Sequence, residues 1–212
     1  MFFYDRHDAG RQLAEQLKKY KGQKDAIVLG LARGGVVTAY EVAKLLSLPL
    51  NAIVPKKIGA PGNPELAIGA IMENGEAVFN DSIIRMLGIP QNYIERTTKE
   101  KQIQAQERAA LYRRYAPLPT IKGHTVILVD DGIATGATML ASVKGMRKEE
   151  AKHIVVAVPV ASTDSLLLIE KMADEVVCLD SEEDFGAVGF FYQNFSQTED
   201  EEVIKLLKLK AD

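Results

Sequence analysis

The chain has 212 residues, 47% of them hydrophobic and 26% charged, with a formal net charge of −3. That length suits one α/β domain with a complete core, and a mean hydropathy of −0.05 excludes a disordered chain. The acidic balance, with a pI near 5.7, excludes a general field for a nucleic-acid backbone, so a small-molecule partner is expected.

No run approaches eighteen apolar residues, and MFFYDRHDAG carries charges too early for a signal peptide, so neither a membrane partner nor export is expected. A single cysteine, Cys178 in EVVCLD, excludes an internal disulfide framework and fits a reducing, cytoplasmic setting. His7, His124 and His153 are scattered without metal-ligand spacing, and no protein-built metal site is expected.

In chain order, residues 8–20 carry Leu13, Leu17 and Tyr20 on one stripe and predict a helix. DAIVLGL (25–31) reads as a buried strand, ARGG as its turn, and VVTAYEVAKLL (36–46) as a helix. LNAIVP (50–55) is a second strand, and KKIGAPGNPE (56–65) reads as a basic, Pro/Gly-punctuated loop without regular structure. LAIGAIM and EAVF predict a hairpin around an ENG turn. From 81 to 115 come a short helix and a long polar one, read as a partly solvated cover rather than a nucleic-acid contact.

HTVILVDD (124–131) is the most apolar strand; TGATMLASVKGMRKE is its helix, and HIVVAVPVA (153–161) the next strand. STDSLLLIEKM and EVVCLD add a helix and a strand. In TEDEEVIKLLKLK, Thr198 and Glu201 have capping-box spacing for a last helix. The expected fold is therefore α/β: a single Rossmann-like domain over 1–212, with a mostly parallel sheet flanked by helices. Its core is about 25–180, with a helical insertion at 81–115, a small hood at 181–197 and a C-terminal helix at 198–210.

Asp130 and Asp131 end the most buried strand, where adjacent carboxylates repel and are costly to desolvate. A ligand offering hydroxyl donors, such as a ribose diol, would compensate. GIATGAT (132–138) follows, with glycines for a sharp turn, threonine hydroxyls, and a helix whose free N–H groups suit a phosphate. Diol and phosphate receptors a few residues apart point to a sugar phosphate. The loop lacks the lysine of a Walker motif, and GLARGG (30–35) lacks dinucleotide-fingerprint spacing, which argues against a nicotinamide-dependent dehydrogenase.

VILVDDGIATGAT resembles the phosphoribosyl-pyrophosphate (PRPP) signature of type I phosphoribosyltransferases, with ARGG and KKIGAPGNPE falling where that family has a pyrophosphate loop and a flexible closing loop. In particular the chain is similar to a group of uncharacterised bacterial phosphoribosyltransferases with an RGG turn and a KxGAPGNPE loop. The resemblance spans about 25–195. It implies transfer of a phosphoribosyl group to a nitrogenous base with release of pyrophosphate, magnesium as cofactor, PRPP and a base as partners, and a homodimer as in many relatives. A non-catalytic sensor of PRPP or of nucleotides on the same fold is the alternative.

Residue by residue, the resemblance gives Asp130 and Asp131 to the ribose hydroxyls, and Gly132, Ile133, Ala134, Thr135, Gly136, Ala137 and Thr138 to the 5-phosphate. Ala32, Arg33, Gly34 and Gly35 fall to the pyrophosphate, often beside a non-proline cis peptide, with Lys56 and Lys57 closing over it. Asp130, Asp131, Arg33 and Lys57 are thereby the expected catalytic set. Ala134 stands where the 6-oxopurine branch carries a further Asp, which weakens a hypoxanthine or guanine role. Phe185 and Phe190, with Phe191 and Tyr192, are candidate stacking faces for the base or, equally, core aromatics.

Overall fold

A computed structural model of the chain describes residues 1–209. Helix α1 (Arg6–Gln16) leads to β1 (Ala26–Leu31), α2 (Gly34–Leu46), β2 (Leu50–Ile53), β3 (Lys56–Ala60), β4 (Asn63–Ile71) and β5 (Ala77–Phe79). There follow α3 (Asp81–Met86), α4 (Gln91–Arg113), β6 (Thr125–Val129), α5 (Ala137–Lys148), β7 (His153–Ser162), α6 (Thr163–Glu170), β8 (Glu175–Glu182) and α7 (Asp200–Lys208). Short 3-10 turns lie at Lys18–Tyr20 and Val188–Phe191.

Five strands form one parallel sheet in the order β2-β1-β6-β7-β8. Alternation along each strand divides its side chains between two helical layers. Val28, Ile127, Val129 and Val155 pack with Leu13, Ala39 and Val42 of α1 and α2. Ile27, Leu29, Val126 and Leu128 pack with Met139, Val143 and Ile169 of α5 and α6. Burial on both faces is why the strands read as unbroken apolar runs. Val126–Val129 are fully buried, and at about 1.5–3 kcal/mol per large apolar side chain they fix the end of β6 despite the two carboxylates that follow it.

From β1 the chain moves outward to β2, whereas β6, β7 and β8 build outward on the other side of β1. The direction of winding thus changes between β1 and β6, and sheets of this kind hold ligands in the crevice beyond the carboxyl ends of those strands.

Three expectations are corrected. Residues 56–65 are not an irregular loop: β3 and β4 pair antiparallel, with Ala60 opposite Asn63, and β5 completes a three-stranded sheet. Pro61 and Gly62 (φ +74°) occupy the central positions of a tight turn that favours this order of residues, so the punctuation marks a hairpin tip. Thr198 does not cap α7; the N-cap is Glu199, without a side-chain bond, and Thr198 is buried instead. The expected end of that helix, Lys210, lies outside the described residues. Helix α1 begins earlier than its apolar stripe suggests, because the Asp5 carboxylate accepts the Asp8 N–H at 2.8 Å.

Helix α4 buries Ile94, Thr97, Ala105, Ala109 and Tyr112, and its other positions are half-buried or exposed, as in a partly solvated cover. Among the described residues no helix is long and apolar enough to cross a membrane.

Candidate functional site

Strands β1 and β6 run in register to Gly30 and Val129, and both chains leave the sheet side by side. ARGG and the acidic pair, almost a hundred residues apart in sequence, are therefore in contact. A Cβ on Gly35 would lie 2.6 Å from Asp130 Oδ1 and 2.8 Å from its Cα, and one on Gly34 would overlap Asp131 Oδ2. Only glycine lets α2 start this close to the acids. The Ala32–Arg33 peptide bond is cis.

Each carboxylate has one oxygen engaged. Asp130 Oδ1 accepts the Asp131 N–H at 2.9 Å, and Asp131 Oδ2 accepts Arg6 Nε at 2.6 Å. Neither Asp130 Oδ2 nor Asp131 Oδ1 accepts a hydrogen bond from a described residue, so the pair has two acceptors for two hydroxyl donors. Burial, then the neighbouring Asp131 charge, push the Asp130 carboxyl well above the usual carboxylate range; a proton shared with the Asp131 side chain adds to the rise, and the Asp131 N–H and Arg6 partly counter it.

The 132–138 loop is braced at its middle. Ile133 exchanges backbone hydrogen bonds with Val160 and Ser162 beyond its bridge to Ala161, and the Ala134 carbonyl accepts the hydroxyls of Ser162 (2.6 Å) and Ser165 (2.7 Å). Gly136, at φ +73°, turns the chain into α5, which starts without a side-chain cap. The first-turn amides of α5 therefore carry the partial positive charge of a helix start without a side-chain acceptor, as anion sites do.

A cationic group lies beside this cleft. Arg33 donates to Glu199 at 2.6 Å, and Arg108 pairs with Asp200 at 3.2 Å, where Tyr112 also donates its hydroxyl. Half-buried Lys56 is pushed down to about 8, by burial first and then by Arg108 and Lys101, with Arg33 adding to the same field.

A family profile described as Phosphoribosyl transferase domain matches residues 4–194. The chain belongs to this phosphoribosyl transferase domain family. It is 44% identical over 205 residues, 97% of its own length, to a Mycobacterium tuberculosis protein named "Putative phosphoribosyl transferase MT0597". It spans about half the length of that relative, 46%. The crystal structure of TT1426 from Thermus thermophilus superposes with a TM-score of 0.81 at 44% identity and 99% coverage of both chains. AQ2163 of Aquifex aeolicus, 13% identical, shares the fold at a TM-score of 0.50 over 84% of this chain and 74% of its own.

Within this phosphoribosyl transferase domain, the structure brings Ala32–Gly35, Asp130 and Asp131 into direct contact and sets the 132–138 loop beside them. It does not bring the two lysines together. Neighbouring residues on β3 point to opposite faces: Lys56 lines a recess with Arg108 and Asp200, whereas Lys57 pairs with Glu65 across the hairpin at 2.8 Å. The aromatic candidates divide too. Phe185 is 6% exposed, its ring stacked on Phe191 at 4.9 Å, so it is a core residue and not an open base face; Tyr192 is buried as well. Phe190 is 75% exposed.

Arg6, Ser162, Ser165 and Arg108 escape sequence reading. Ser162 has a local signal, since STDS opens α6 and its hydroxyl accepts the Ser165 N–H as an N-cap. Arg6 and Arg108 have none, because the fold alone brings them to their partners. A cavity of about 890 Å³, lined by residues including Glu73, Gln106, Arg113, Ile121 and Met146, lies at the opposite, amino-terminal end of β6. It holds neither the acids nor the glycine loop.

Proposed function

We propose that the chain transfers the 5-phosphoribosyl group of PRPP to a nitrogenous base with release of pyrophosphate. The observation that carries this reading is the acidic pair with two open oxygens, set directly before the uncapped start of α5. Asp130 and Asp131 hold the two ribose hydroxyls, residues 132–138 hold the 5-phosphate, and Ala32–Gly35 with Lys56 hold the pyrophosphate. Lys56 takes the part that the motif offered to Lys57. Arg33 joins the pyrophosphate after exchanging partners. Its bond to Glu199, itself 56% exposed, is of a kind worth about 0.2–1 kcal/mol, which a polyphosphate can displace.

The acids face a sugar ring that gains positive charge as pyrophosphate departs, and the fixed loops hold the anomeric carbon in line with the incoming nitrogen. The hood excludes water that would otherwise take the base's place. Phe190 offers the open aromatic face for the base. Magnesium would be carried by pyrophosphate oxygens and water rather than by a protein cage, and when bound it would offset the charge on the departing pyrophosphate. A cytoplasmic setting suits the reduced Cys178.

The test is a panel of nucleobases incubated with PRPP and magnesium while pyrophosphate release is followed. At least one base should give pyrophosphate in step with nucleotide. Tight PRPP binding with no turnover on any base would make the protein a sensor instead.

A second expectation concerns pH. Lys56 sheds its proton near pH 8, so the charge facing pyrophosphate is present below that value and lost above it. Calorimetry should show pyrophosphate affinity falling several-fold between about pH 7 and 9. Lys56→Gln should bind weakly throughout and lack this decline; an unchanged profile in the variant would remove Lys56 from the site.

A further inference from the structure

Arg6 opens α1, where a cation is unfavourable against the helix dipole. Its side chain is nevertheless only 11% exposed and makes three engagements. Nε donates to Asp131 Oδ2 at 2.6 Å, Nη1 donates to the Ser196 carbonyl at 2.8 Å, and the guanidinium lies 3.8 Å from the centre of the Phe195 ring. The Phe195 ring rests against Tyr192 at 4.9 Å, and the Tyr192 hydroxyl donates to the Asp131 carbonyl at 2.5 Å.

These contacts close a circuit. The Asp131 side chain is held by Arg6, Arg6 by Phe195 and Ser196, Phe195 by Tyr192, and Tyr192 returns to the Asp131 main chain. Phe3 and Tyr4 fasten the same segment through backbone bonds to Phe191, Gln193 and Asn194. A buried ion pair is a weak device for stability and a good one for fixing geometry. Here the geometry it fixes is which oxygen of Asp131 stays open. Nε satisfies Oδ2 and leaves Oδ1 without a donor among the described residues, while Nη1 turns to the Ser196 carbonyl and the planar guanidinium lies over Phe195.

We infer that Arg6 is a positioning residue for the ribose-binding acid pair: it orients the Asp131 carboxylate and ties it to the hood segment 192–196. This rests on the reading of Asp131 as a ribose-hydroxyl acceptor, and the experiment separates the two. PRPP binding to the full chain is measured by calorimetry for wild type, Arg6→Gln, Asp131→Asn and the double variant, with melting temperatures alongside. Arg6→Gln should weaken PRPP binding roughly 10–100-fold, the scale of a lost hydrogen bond to a charged group. In the Asp131→Asn background the same substitution should change affinity less than about threefold, because its effect runs through that carboxylate.

Arg6→Lys, which keeps a charge for Asp131 but not the fork or the stack, should recover part of the loss. Should Arg6→Gln fail to fold, the cycle is run with Arg6→Lys, whose smaller loss must likewise vanish without the Asp131 carboxylate. Losses that multiply in the double variant, or an Arg6→Gln affinity within about twofold of wild type, overturn the inference and leave the site reading standing. Failure of the wild type to bind PRPP overturns the site reading and the inference together.

Discussion

Asp130→Asn should melt at a higher temperature than the unsubstituted protein at neutral pH while binding PRPP far less well. The folded-state carboxyl is raised well above its ordinary value of 3.8, so between those two values the unfolded chain holds fewer protons than the folded one. Stability contributed by this group therefore falls as pH rises through that window, and it stays lost above it. Asparagine escapes the penalty, and its amide oxygen can still accept the Asp131 N–H.

We expect a gain on the order of 1–2 kcal/mol, the scale of substitutions that relieve a functional site of its strain. In a chain of this size that is a rise in Tm of roughly 2–8 °C. Affinity for PRPP should drop about 10–100-fold as the pair loses one of its two carboxyl groups. Unfolding scans from pH 4 to 8 isolate the effect, because the gap between variant and wild type should widen with pH. A variant less stable than wild type at pH 7 would show that Asp130 is held by interactions that favour its charge.

Gly35→Ala should do the reverse, harming stability and binding together. The added methyl would lie 2.8 Å from Asp130 Cα and 2.9 Å from the Val129 carbonyl, both backbone atoms at the end of a fully buried strand. Neither can swing aside as a side chain would, so α2 must lift from the sheet or β6 must shift. The overpacking cost is about 1–3 kcal/mol, a fall in Tm of roughly 2–12 °C. Any folded fraction should bind PRPP poorly, because the same methyl lies 2.6 Å from Asp130 Oδ1. Thermal unfolding and calorimetry on one preparation check both halves; normal melting with normal binding would mean that the backbone here yields more easily than its burial implies.

The sequence makes legible what local chemistry controls. VILV declares a strand covered on both faces, DD marks its end as costly, and GIATGAT declares the turn and the helix start. ARGG is legible as a turn after a strand, but its contact with the acids is a product of strand order. The hairpin at 56–71 is misread because Pro61 and Gly62 signal a break equally well for a long loop and for a two-residue turn. What decides between them is backbone pairing with β4, which leaves little mark on side-chain pattern. Lys56 and Lys57 look like a pair until the strand assigns them to opposite faces. Arg6 is the deepest omission, since it meets a partner 125 positions away and belongs to no local motif.

The pairing of β1 with β6 has an evolutionary corollary. A one-residue insertion or deletion inside β6 would invert its inward and outward sides and carry both acids away from the glycine turn. Between the two strands, the stretch of α3 with its flanking turns, which bears neither Lys56 nor Arg108, is under no such discipline. Descendants of this chain are thus free to remodel that stretch while the sugar-holding corner stays frozen.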